Sequence, residues 1–107
     1  MTTCATDDVL VVLNIQPALE ERLVDCLLAR RGGGGFTSSA VSGHSTRHEG
    51  LSAAEQVTGQ QRRQQFSVQM PADAVDGFLA ELRGSLGAAD VRFWVLPVLR
   101  SGTFDQA

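Results

Sequence analysis

Four short apolar runs and two stretches of helical periodicity follow one another as strand, helix, strand, polar segment, strand, helix, strand, and this order restricts the fold more than any single residue does. The first run, Asp8 to Gln16, is rich in β-branched residues and stops at Pro17, which predicts one strand with an apolar character on both faces. Pro17 suits the first turn of a helix, where its missing N–H is not needed. Leu19, Leu23, Cys26 and Leu27 then recur at helical spacing, with Glu20, Glu21 and Arg22 left for water. Arg30 and Arg31 are expected in the last turn, favourably placed for the helix dipole, and the glycines 32–35 stop the helix.

Phe36 to Gly43 reads as a second strand, and Ser38, Ser39 and Ser42 make it polar enough for a sheet edge. A loop over about 44–61 follows, whose one helical signal is the capping box Ser52-Ala-Ala-Glu55. Gln64 to Met70 alternates strictly, with Phe66, Val68 and Met70 on one face, as a half-buried strand does. Pro71 opens a second helix carrying Val75, Phe78, Leu79, Leu82 and Leu86, and Gly87 ends it. Asp90 to Val98 is the last strand, and a C-terminal tail covers about 101–107.

The order βαββαβ predicts an α+β, ferredoxin-like domain over 1–107, with two helices on one face of a four-stranded antiparallel sheet. Two helices cover only one face. The first and last strands lie side by side in this fold, so Leu10, Val12, Trp94, Leu96 and Val98 make one contiguous apolar patch on the other face. A patch of that kind marks an interface, and a closed homo-oligomer is expected. The competing expectation is that the tail folds over the patch through Phe104.

Size and composition exclude several classes. A chain of 107 residues and 11.4 kDa has room for a single small core. A net charge of −3 and a pI near 5.2 leave no basic face for nucleic acid. Lysine is absent, which removes a phosphate-loop lysine, a Schiff base and a Ser-Lys dyad together, and tyrosine is absent too. Cys4 and Cys26 form neither a metal pair nor a disulfide framework, and Cys26 is expected in the core. No run is long enough to span a bilayer and the N-terminus has no signal-like pattern, so a cytoplasmic protein without direct membrane insertion is expected. No serine or cysteine stands in a nucleophile context, so the chain does not read as an enzyme.

Gly43-His44-Ser45, Gly50 to Gly59, Arg62-Arg63 and Trp94-Val-Leu-Pro-Val98 resemble a group of small bacterial proteins within the PII superfamily of trimeric regulators. The resemblance runs from Val9 to about Gly102, and the loop corresponds to the PII T-loop. It implies a PII-like trimer, a signalling role, and a link to metal homeostasis, since members of that group tend to be encoded near heavy-metal efflux systems. A membrane transporter or efflux component is the partner it implies. Phe66 to Met70 and Val95 to Val98 are similar, more distantly, to the CutA divalent-ion tolerance proteins.

PII proteins carry a Gly-Asp-Gly-Lys type phosphate loop before the last strand, whereas this chain has Leu86-Gly-Ala-Ala-Asp90. That departure argues against nucleotide binding in the PII manner. Arg47, Arg62, Arg63 and Arg100 remain as ligand-binding candidates, gathered at the loop base and subunit cleft, because guanidinium groups suit phosphate or carboxylate. The alternative is that Arg62 and Arg63 pair with Glu49 and Glu55 to hold the loop down. His44 and His48, with Glu49, are the candidate ligands for a divalent transition metal, against the plainer reading of two histidines on a polar surface. Two functions follow: a PII-like regulator that presents its loop to a partner in response to a small ligand, and a CutA-type metal-binding module. The residues do not fix the cofactor.

Overall fold

The computed structural model describes residues 2–30, 34–44, 60–87 and 89–105. Strand β1 (Thr2–Ala5) precedes β2 (Asp8–Ile15), a 3-10 turn over Pro17–Leu19 and helix α1 (Glu20–Leu28). Strands β3 (Phe36–His44) and β4 (Gln60–Pro71) follow, then a 3-10 turn over Ala72–Ala74 and helix α2 (Val75–Leu86). Strand β5 (Arg92–Pro97) and the short β6 (Arg100–Thr103) complete the chain.

Strands β3, β4, β2 and β5 form, in that order, an antiparallel four-stranded sheet, and both helices cover one face of it. This is the ferredoxin-like α+β arrangement that the element order implies. Because side chains alternate across a strand, Val11, Leu13 and Ile15 of β2 and Phe66, Val68 and Met70 of β4 all point to the helices. They meet Leu23 and Leu27 of α1 and Val75, Phe78, Leu82 and Leu86 of α2 in one core. Phe36 extends that core under the edge strand, its ring 6.1 Å from Phe66. Pro17 and Pro71 both stand where strand gives way to helical turn, the position their fixed φ favours. Gly87 ends α2 with φ +72°, and its N–H donates to the Arg83 carbonyl.

Several boundaries differ from the sequence expectation. Strand β4 begins at Gln60 rather than Gln64, and β3 runs to His44, so the two pair to the very root of the loop. Past Ile15 of β2 they continue as a two-stranded arm, Val41–His44 against Gln60–Arg63, held by pairing rather than burial. Helix α1 ends at Leu28 with Ala29 as its cap, so Arg30 lies beyond the last turn, its guanidinium 5.6 Å from the Phe78 ring centre. Cys26 is half-buried at the core's margin. Pro71 closes β4 instead of opening α2. The last strand is shorter than expected, Arg92–Pro97, which leaves half-buried Val98 outside it. What reads as a tail is partly β6, which pairs with β1 in a separate two-stranded sheet. The expected turns around Leu51 lie outside the described residues.

Candidate functional site

Two regions carry the candidate residues: the open face of the sheet and the root of the β3–β4 arm. On the open face, Leu10 stands opposite Leu96 and Val12 opposite Trp94 across the β2–β5 ladder. These four side chains form a compact apolar square with no described helix above it. Trp94 and Leu96 are each 47% exposed, and Phe104 does not cover them, being itself 88% exposed. Val98 continues the same line, with its N–H donating to the Asp8 carbonyl and its own carbonyl accepting from Thr6 Oγ1.

Strand β5 is exposed at all six residues. It pairs with β2 on one side and with no described strand on the other. Phe93 and Val95 therefore expose apolar surface on the helix side while Trp94 and Leu96 do so on the open face. The rest of the open face is polar. Gln65 Nε2 donates to Asn14 Oδ1 at 3.0 Å, and Gln69 Nε2 donates to Asp8 Oδ2 at 3.0 Å.

At the arm's root, neighbouring residues of a strand face opposite ways, so Arg62 and Arg63 do not converge within one chain. Arg63 shares the open face with Gln61 and Gly43, while Arg62 shares the other with His44, Ser42 and Gln60. Arg63 Nη2 donates to Gln61 Oε1 and, at 3.0 Å, to Asp90 Oδ2. Asp90 lies in the turn before β5, and no spacing rule pointed to it; Glu49 and Glu55, the expected partners of Arg62 and Arg63, lie outside the described residues. Arg100 lies on β6, beyond the opposite end of β2, and is exposed. The length of β2, at ~3.3 Å per residue, puts roughly 23 Å between it and Arg62 and Arg63 of the same chain. His44 is the last residue of β3, opposite Gln60, and is exposed. Arg47, His48 and Glu49 lie outside the described residues. Among the described residues no three His, Cys, Asp or Glu side chains are grouped to hold a metal ion. No described helix is long and apolar enough to cross a membrane.

An open-faced ferredoxin-like sheet with an arm between its second and third core strands is a fold that PII-like proteins also have. Solved structures agree. A DUF3240 family protein from Shewanella baltica superposes with TM-score 0.76 at 22% identity, covering 92% of this chain and 97% of that one. The PII-like protein CPII from Thiomonas intermedia, bound to ADP, AMP and bicarbonate, matches with TM-score 0.67 at 17% identity over 95% and 98% of the two chains. CutA from Synechococcus elongatus matches with TM-score 0.66 at 15% identity over 94% and 90%. None of the curated proteins matches the chain. The family model described as "Protein of unknown function (DUF3240)" matches residues 5–105, and the chain belongs to that family.

Proposed function

We propose that this chain is a PII-like regulatory protein. It assembles as a closed homo-oligomer, a trimer as the family resemblance implies, and presents the segment between β3 and β4 to a partner in response to a small ligand. The observation that carries this reading is the apolar square Leu10, Val12, Trp94 and Leu96 on a sheet face without a described helix, next to the edge of β5 that no described strand pairs with. Fully burying a side chain of this kind contributes about 1.5–3 kcal/mol, so covering four of them with other copies is worth more than leaving them in water. The ligand-bound CPII and a citrate-bound PII from Arabidopsis thaliana support a small-molecule effector, and both share only the fold with this chain. A membrane transporter or efflux component is the proposed partner, within metal homeostasis, on the strength of the resemblance alone.

The experiment is a light-scattering mass measurement on Trp94→Glu and Leu96→Glu. Each variant is expected to run as a folded monomer. Retention of the unmodified protein's mass by both variants would show that this face is not the interface.

A further inference from the structure

We propose that Asp90 is a resident anion of the loop base: its carboxylate holds the Arg63 guanidinium in the unliganded chain, and a small oxyanion binds Arg63 by displacing it. The proposal rests on the regulatory reading above and names the ligand class that the arm's root takes. The two partners differ sharply in environment, since the Arg63 side chain is 10% exposed and that of Asp90 is 59% exposed. Water solvates the Asp90 carboxylate whether or not it is paired, so it leaves at little cost, while the sheltered arginine stays. Asp90 is therefore the exchangeable member.

The geometry of Arg63 suits an exchange. Both of its described hydrogen bonds come from Nη2, one to Gln61 Oε1 and one to Asp90 Oδ2. A guanidinium carries five N–H donors in a planar fork, so Nη1 and Nε remain for a second oxygen that one Asp90 contact does not engage. An oxyanion that takes two N–H groups at once outcompetes a carboxylate that takes one. Gln61, two residues earlier on the same strand, steadies the head group in either state.

The strand registers place the ion pair at one end of the sheet. Gln64 pairs with Ile15, the last residue of β2, and Arg92 pairs with Asn14. Arg63 and Asp90 therefore both lie just past the end of β2, and their ion pair bridges the notch left between β4 and β5. Gly43 lies beside the arginine stem, where a Cβ would meet Arg63 Cγ in ordinary contact at 3.8 Å.

The test is calorimetric titration of the full chain with inorganic pyrophosphate, using wild type, Asp90→Asn, Arg63→Gln and the double variant, each checked for cooperative melting. Asp90→Asn is expected to bind about fivefold tighter than wild type, the upper end of what an ion pair with one exposed partner is worth. Arg63→Gln is expected to abolish binding in both backgrounds. Equal affinity of wild type and Asp90→Asn, binding that survives Arg63→Gln, or saturable binding by none of the four would each overturn the proposal. If the pattern holds in a chain that is monomeric at every concentration, the regulatory reading falls and the resident anion stands. If the pattern fails in an intact oligomer, only the resident anion falls.

Discussion

Gly77 and Gly84 are interior residues of α2, and a Cβ built at either meets nothing within 4 Å. Both line an open groove of about 870 Å³ between the two helices. Glycine costs a helix interior about 0.8–1 kcal/mol relative to alanine, and no contact within the described chain requires it here. Gly84→Ala is accordingly expected to raise stability by about 0.5–1 kcal/mol, read as an upward shift of a few degrees in the melting midpoint. Gly87 is the opposite case. Its φ of +72° and ψ of −154° belong to a region open essentially to glycine alone, so Gly87→Ala is expected to cost about 1–3 kcal/mol in a denaturant titration. Phe66, fully buried between both helices and Phe36, is expected to cost about 3–5 kcal/mol on truncation to alanine, a large part of what holds a domain of this size. At this scale the core was readable, because Phe66, Val68 and Met70 alternate and Val75, Phe78, Leu82 and Leu86 keep helical spacing. The partner of Arg63 was not. Asp90 lies 27 residues away, and only the pairing register of three strands brings the two together.

The elements that were misjudged in the sequence are those stabilised by pairing without burial. Gln60-Gln-Arg-Arg63 carries no apolar alternation, yet it continues β4 because β3 supplies a hydrogen-bonding partner as far as His44. β1 and β6, four residues each, also lack apolar alternation in sequence and, among the described strands, pair with one another. Apolar periodicity reports burial, and Gln60–Arg63 and β6 bury little. The arm makes a prediction of its own: Ser42→Pro puts a residue without an N–H into β3, the one described strand that pairs with Gln60–Arg63. It is expected to speed amide exchange in Gln60–Arg63 while leaving Phe66 to Met70 protected, as followed by hydrogen exchange. Equal loss of protection along all of β4 would mean that the arm and the sheet unfold together.

For the whole molecule, the dominant fact is an apolar face that no described element of the chain covers. The helices occupy one side of the sheet, β6 pairs with β1 instead of folding over β5, and Phe104 points away into water. That much was legible from the sequence, since Leu10, Val12, Trp94 and Leu96 fall at alternate positions of strands that this fold makes neighbours. Which copies meet there was not, because the geometry of an interface between separate chains leaves no periodic mark in either. The most direct measurement is the solution mass of the unmodified protein by sedimentation equilibrium over a wide dilution range. Three times the chain mass of 11.4 kDa, persisting into the micromolar range, is the result predicted. A stable, folded species of 11.4 kDa at those concentrations would contradict the account.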